Sequence, residues 1–270
     1  MSPPPRPTVA RRPLAVRLPE GRLEAVRLVP DEACEGRPTA VFLHDALGSV
    51  SFWRDFPDRL CSALGCEGLV FDRLGFGKSD PWPRTPDHRF LEVEARERLP
   101  EVLRQAGVER PLLFGHSDGG SIALLHAAAF PSRPAAVVSI AAHVMVEDAT
   151  LGGIDAAVEA WRTTDLPARL ARHHGGKAEA VFRAWSETWR DPSFRGFSAV
   201  EAIRPVRCPL LVLQGENDEY GTLAQVEAIA AAVSGPVRTV VLPGLGHFPH
   251  REDPDRVLEE TRSFVSDFAI

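Results

Sequence analysis

The chain has 270 residues, 44% of them hydrophobic and 25% charged, with a formal net charge of −6. That composition excludes wholesale disorder, and the length suffices to bury a core without disulfide or metal staples. A mildly acidic chain lacks the clustered cations that non-specific nucleic-acid binding requires, so no nucleic-acid partner is expected.

Residues 1–13 (MSPPPRPTVARRP) carry charge and proline but no apolar signal region. They are expected to form a flexible tail. Residues 14–29 alternate apolar and polar around Pro19, Glu20 and Gly21, the pattern of a β-hairpin with one solvated face. From there the pattern changes to short, nearly continuous apolar runs at 40–43, 68–71, 111–114, 135–140, 209–213 and 237–242. Strands buried on both faces of a mostly parallel sheet look like this. Between them lie helical stretches at 52–64, 90–105 (ended by Gly107), 118–129, 222–233 and 254–268. The alternation specifies an α/β fold with helices on both faces of the central sheet.

Residues 146–204 break the alternation. They contain no strand-like run but three amphipathic helical pieces, near 150–161, 165–174 and 177–190. This segment is expected to be a helical cap inserted into a core domain made of residues 14–145 and 205–270. No run approaches 18 apolar residues, so no membrane span is expected. Cys34, Cys61, Cys66 and Cys208 lack C-x-x-C spacing and a histidine cluster, so no metal site is expected; they read as buried thiols of a cytoplasmic protein.

Chemistry concentrates at three strand ends. Residues 111–124 (PLLFGHSDGGSIAL) run from an apolar strand through Gly115-His116-Ser117-Asp118-Gly119 into a helix. G-x-S-x-G in a strand–turn–helix context puts a serine hydroxyl on a sharp turn above the sheet. The glycines leave no Cβ to clash as strand and helix close up. The match alone is common; two further loops give it weight. Asp218 follows the strand that ends at Gln214-Gly215, and His247 follows the strand that ends near Leu242. Each of the three lies just past a strand's C-terminal end, where open α/β sheets place ligands. Glu216, Glu219 and Asp148 compete with Asp218, which is preferred for its place three residues past Gly215. His250 competes with His247 but lies beyond Pro249 and reads as a surface residue. His44 reads as a loop-ordering histidine, His116 as structural, and Asp118 as a carboxylate favoured at a helix N-terminus.

With these motifs in place the chain resembles the α/β-hydrolase fold family. Two more segments carry the resemblance: the loop Leu43-His44-Asp45-Ala46-Leu47-Gly48-Ser49, and Asp72-Arg73-Leu74-Gly75-Phe76-Gly77-Lys78-Ser79. Asp45 departs from the family, many of whose members have Gly there. The resemblance implies that Ser117 attacks an acyl carbonyl, that His247 relays its proton and that Asp218 orients and stabilises the imidazole. It also implies an oxyanion hole formed by the backbone N–H groups of Ala46 and Asp118. Serine at the nucleophile position argues against the epoxide-opening and dehalogenating relatives, which carry Asp.

The cap region is rich in aromatics, and His143, Trp161 and Trp185 are the candidates for a substrate pocket wall. The arginine-rich piece Arg169-Leu170-Ala171-Arg172-His173-His174 reads as a solvated helix face, with reception of an anionic substrate as the alternative. The leading expectation is a cofactor-free serine hydrolase of small, fairly apolar esters, thioesters or lactones. The alternatives are a hydrolase of carbon–carbon bonds in ring-cleavage products and a non-catalytic ligand-binding member of the fold. Carbon–carbon hydrolases usually carry Asn before the nucleophile and Trp after the catalytic His, where this chain has His116 and Phe248. The expected partner is a small acyl substrate; a homo-oligomer is compatible with the sequence but not indicated by it.

Overall fold

The computed structural model describes residues 8–34 and 36–270. Its elements follow in chain order: β1 (Val9–Leu18), β2 (Gly21–Pro30), β3 (Ala40–Leu43), α1 (Phe56–Leu64), β4 (Gly68–Phe71), α2 (Phe90–Val93), α3 (Leu99–Ala106), β5 (Leu112–His116), α4 (Asp118–Ala129) and β6 (Ala136–Ile140). Then come α5 (Asp148–Thr163), α6 (Leu166–His174), α7 (Ala178–Arg190), β7 (Leu210–Gly215), α8 (Leu223–Ala232), β8 (Val237–Leu242), α9 (Pro249–Glu252) and α10 (Pro254–Asp267). The strands form one eight-stranded sheet in the order β1-β2-β4-β3-β5-β6-β7-β8. β1, β2 and β4 pair antiparallel, and every pairing from β4 across to β8 is parallel.

The apolar runs are two-faced. Along β3, Val41 and Leu43 belong to one buried cluster while Ala40 and Phe42 belong to another. β5 divides the same way, with Leu113 on the first side and Leu112 and Phe114 on the second. Successive side chains point to opposite faces of a strand, so unbroken apolar sequence is what a sheet covered on both sides requires.

Three expectations change, two of them at the edges of the sheet. Residues 9–13 are not tail: they extend β1, with Val9 facing Pro30 and Pro13 facing Val26. Proline is tolerated there because β1 is an edge strand, whose outward N–H groups need no partner in the sheet. The remaining residues of the expected tail, 1–7, lie outside the described residues. The run at 237–242 is likewise only half-buried, since β8 closes the opposite edge. The stretch 90–105 forms as helix but not as one regular helix. A π-helical turn, Glu94–Arg98, joins α2 to α3 just before Pro100. Proline lacks an N–H and its ring clashes with the preceding turn, so a local widening accommodates it.

Residues between β6 and β7 supply α5, α6 and α7 and no strand of the sheet. α4, in contrast, is buried almost throughout. It can lie this close to the sheet because its first turn is small: a Cβ on Gly119 would run into the carbonyl of Leu43 on β3. A methyl group at this contact forces backbone apart, and overpacking of this kind costs roughly 1–3 kcal/mol or more. Gly119→Ala should therefore lower the urea midpoint strongly. Gly176→Ala, at a site with no neighbouring atom within 4 Å, should leave it unchanged. Equal midpoints for the two variants would contradict the close approach.

Candidate active site

Ser117 joins β5 to α4 at φ 54°, ψ −120°. A residue with a side chain rarely adopts this conformation, and it persists only where the surroundings impose it. The surroundings do so here. The Ser117 N–H donates to the Ile140 carbonyl at 2.8 Å, and the Ser117 carbonyl accepts from the Gly120 N–H, also at 2.8 Å. A Cβ on Gly115 would collide with the backbone of Gly119. The two glycines of the motif are thus the two positions where strand and helix touch backbone to backbone.

Asp218 and His247 arrive on neighbouring strands. β7 and β8 run parallel with Gly215 opposite Leu242, so the loops that follow them meet. His247 Nδ1 lies 2.9 Å from both Asp218 carboxylate oxygens. The carboxylate also accepts from the Tyr220 N–H at 2.8 Å and from the Gln214 amide at 2.8 Å. Burial acts to raise the Asp218 carboxyl, but His247, the Tyr220 N–H and His143 outweigh it and hold the group below its ordinary value. Burial acts to lower His247, and the bond to Asp218 outweighs it, leaving the imidazole above its ordinary value. Both shifts favour the charged forms of the pair.

The competing acids are engaged elsewhere. Glu219 accepts from the His247 backbone N–H at 3.2 Å, not from the ring. Glu216 accepts from the Gly244 N–H, and Asp148 pairs with Arg195 on the surface. His250 is not a surface residue. It is 3% exposed, because Pro249 opens the short helix α9 and packs the ring 4.8 Å from Trp53 and 4.6 Å from His116. His116 is structural in its contacts, its Nε2 donating to the His247 carbonyl at 2.7 Å.

The loop after β3 sits beside Ser117 because β3 and β5 are parallel neighbours, with Leu43 opposite Gly115. His44 orders it: its Nδ1 donates to the Asp45 carbonyl at 2.8 Å and its Nε2 accepts from the Arg73 N–H at 3.1 Å. Both bonds suit a neutral ring, and burial lowers this histidine well below its ordinary value. Asp45 has no positive φ, so this backbone does not require glycine at that position. Its carboxylate accepts from the Leu47 N–H at 3.3 Å and lies 3.8 Å from His116 Nδ1. Burial acts to raise that carboxyl, but His116 and the other nearby imidazoles hold it below the usual range.

Ala46, Ser117, Asp118, His143, Trp185 and His247 line one cavity, with about 420 Å³ of space when open solvent is included. Among the described residues no hydrogen bond joins the Ser117 hydroxyl to the His247 ring; such contacts often tighten only with substrate in place. His143 is pushed down to about 4 by burial, and its Nε2 donates to the Tyr220 carbonyl at 3.0 Å. Trp161 does not reach this cavity. It stacks on Phe182 at 4.3 Å in a separate apolar cluster between the inserted helices. Among the described residues no cluster of His, Cys, Asp or Glu is placed to hold a metal ion. No helix among them is long and apolar enough to cross a membrane.

The sequence did not signal a second cavity, with about 410 Å³ of space when open solvent is included, that shares Ala46, Asp118 and Trp185 with the first. Arg73 lines it, only 2% exposed, with its guanidinium 4.5 Å over the Phe76 ring and one arm donating to the Asp45 carbonyl at 2.9 Å. Its Nε has no partner among the described residues. Opposite in charge, Asp118 is 3% exposed and faces both cavities. The Asp that follows the serine is therefore a buried carboxylate as well as a helix-terminal one.

The sequence profile of the alpha/beta hydrolase family matches residues 40–260. The chain belongs to that family. An uncharacterized protein of Mycobacterium tuberculosis is 28% identical over 211 residues, 77% of this chain but 62% of that protein, so the chain spans under two thirds of that relative's length. A 2-hydroxy-6-oxononadienedioate/2-hydroxy-6-oxononatrienedioate hydrolase of Paraburkholderia xenovorans is 35% identical over 120 residues, 44% of this chain and 40% of that one. Among solved structures, a proline iminopeptidase of Mycobacterium smegmatis superposes with a TM-score of 0.73 at 19% identity, covering 96% of this chain and 98% of its own.

Burial pushes the Asp118 carboxyl from 3.8 up to about 6. A folded-state value above the unfolded one means that folding is favoured while the group is protonated, and that this advantage is lost as pH rises through about 6. Two pH units correspond to roughly 2–3 kcal/mol. Asp118→Asn should therefore gain stability relative to the parent between pH 4 and pH 7. Urea titrations at the two pH values measure this, and a constant difference would contradict a buried, proton-binding Asp118.

Proposed function

We propose that the chain is a serine hydrolase of fairly apolar esters, thioesters or lactones, acting through an acyl-enzyme on Ser117. The observation that carries this reading is one cavity holding both Ser117, on its strained turn, and His247, whose Nδ1 is bound by Asp218. In this mechanism His247 Nε2 takes the Ser117 proton as Oγ attacks the carbonyl, then delivers it to the leaving group. Asp218 fixes the tautomer and stabilises the imidazolium. The N–H groups of Ala46 and Asp118 receive the oxyanion, Asp118 at the N-terminus of α4 where unpaired donors and the helix dipole favour negative charge. This acyl transfer calls on no metal or cofactor.

Residues 146–204 act as the cap over a core made of the chain on either side. α5 and α7 bring Thr150, Ile154, Trp185 and Trp189 to the cavity that holds Ser117. An indole-rich wall suits an apolar or aromatic acyl or alcohol group.

The Paraburkholderia relative supports a second reading, hydrolysis of a carbon–carbon bond in a vinylogous diketo acid. Loss of that compound's visible absorbance on incubation with the protein would select it over ester hydrolysis.

The primary test is intact mass after treatment with a fluorophosphonate. The parent should gain a single adduct that Ser117→Ala lacks. Absence of an adduct on folded parent protein would overturn the serine-hydrolase reading and favour a ligand-binding role. Asp218→Asn should lower kcat by roughly 10⁴-fold with the fold intact. Because His247 must be neutral to accept the proton and stands above its ordinary value, kcat/KM should rise with pH through a group titrating above the usual histidine range. A flat profile there would count against His247 as the base.

A further inference from the structure

A larger basin, about 1420 Å³ of space open to solvent, adjoins the Ser117 cavity. The two share Asp45, Leu47, Tyr220 and Phe248 as walls. A substrate whose acyl group sits at Ser117 can therefore extend its leaving part into the basin. Arg54, Arg169, Arg172 and Arg251 line it, arriving from three separate places in the fold: the turn before α1, helix α6 and helix α9. Arg169 and Arg172 are thus more than a solvated face of one helix, because they converge with arginines from elsewhere.

Little within the basin neutralises them. Its carboxylates are Asp45 and Glu252. Glu252 accepts from the Gly246 N–H at 2.7 Å and from the Phe248 N–H at 2.9 Å, and Asp45 is held by its own loop and His116. Arg169 lies 3.9 Å from Asp165, both well exposed. Arg172 and Arg251 form no ion pair with a carboxylate of the described residues. Burial lowers Arg251, and the nearby Arg54 and Arg169 lower it further against the opposing pull of Asp45 and Glu252; burial likewise lowers His173, aided by Arg251, Arg172 and Arg54 against Asp45. These cations repel one another across the basin, and a bound anion would relieve that repulsion.

The basin also offers aromatic surface. The Arg251 guanidinium lies 4.3 Å over the Phe52 ring and 5.6 Å from Phe248. Phe52 is in turn 5.1 Å from His173. Arginines with planar rings beside them suit phosphates attached to an aromatic base.

Resting on the serine-hydrolase reading, we propose that this basin receives the leaving part of an acyl thioester, a nucleotide-linked phosphorylated thiol with the chemistry of coenzyme A. Ser117 Oγ forms a bond to the acyl carbon as the carbon–sulfur bond breaks. The serine proton passes through His247 to the departing sulfur, which leaves as the free thiol. Water then cleaves the acyl–serine ester, releasing the carboxylic acid and restoring Ser117. No oxidant or reductant takes part.

The test compares octanoyl-coenzyme A with octanoyl-N-acetylcysteamine, which keeps the reacting thioester and removes the nucleotide and phosphates. The parent should prefer the coenzyme A thioester by at least about tenfold in kcat/KM at low salt, with the preference shrinking as ionic strength rises. Arg172→Glu and Arg251→Ala should each erase most of the preference while leaving N-acetylcysteamine thioester turnover within about twofold of the parent. Calorimetry of free coenzyme A with the Ser117→Ala protein reads the same basin without catalysis. Binding there, lost in the arginine variants, with no turnover of either thioester by the parent would sustain the basin and reject the hydrolase reading. Equal kcat/KM for the two thioesters, or no coenzyme A binding to Ser117→Ala, would overturn the basin proposal. So would binding to phosphatidylglycerol vesicles without binding to coenzyme A, which would mark the arginines as a lipid-facing surface.

Discussion

Backbone meets backbone where β5 turns into α4, and the rest of the site is arranged around that contact. No side chain fits at Gly115 or Gly119 without striking main-chain atoms. The absence of Cβ atoms lets the helix approach the strand ends closely, and Ser117, the single residue between β5 and α4, makes the connection at φ 54°. Strain of this kind survives only if surrounding structure over-determines it. The burial of α4 along its length does so. The same close approach brings the N-terminus of α4, the positive end of the helix dipole, next to Ser117. One steric fact thereby sets the exposure of the serine, the field it feels and the rigidity of its support.

Sheet order supplies the other components by adjacency. β3 lies next to β5, so the Ala46 loop abuts the serine; β7 lies next to β8, so Asp218 meets His247. None of these loops needs to be long. Their side chains then settle their charges locally. Asp218 has backbone, amide and imidazole donors and remains ionised, whereas Asp118, which lines the cavity that holds Ser117 and His247, has burial as its dominant influence and is pushed up to about 6. Carboxylates at one site are separated by what donates to them, which is how similar groups come to hold different protonation states at one pH.

The sequence made the fold legible wherever a physical requirement was written in consecutive residues. Two-sided burial demands unbroken apolar runs, and the strands from β3 to β7 show them. Steric closeness demands glycine, and G-x-S-x-G showed it. Edges were less legible: Arg11, Arg12 and Pro13 look like a tail because an outer strand has no need of alternating apolar residues. Tertiary convergence was hidden. His250 reads as exposed after Pro249, yet α9 turns it inward against Trp53. Trp161 has the right composition for a pocket wall, yet α7 offers Phe182 as a closer stacking partner. Nothing in the neighbours of Arg73 reveals that its guanidinium ends above Phe76 beside the cavity of Asp118.

The same limit applies to the charged helix α6. Taken alone, Arg169 and Arg172 one turn apart describe a hydrated surface, and salt would screen them to little effect. Their meaning changes once Arg54 and Arg251 share the basin with them. A lone exposed cation is solvated by water at no cost. Cations that crowd one another beside aromatic rings, with the local carboxylates already committed to backbone donors, are held in an arrangement that an anionic ligand stabilises. On the proposed reading, the apolar cavity at Ser117 and the cationic basin beyond it would divide a substrate into two chemically distinct halves, with the bond to be broken at the boundary between them.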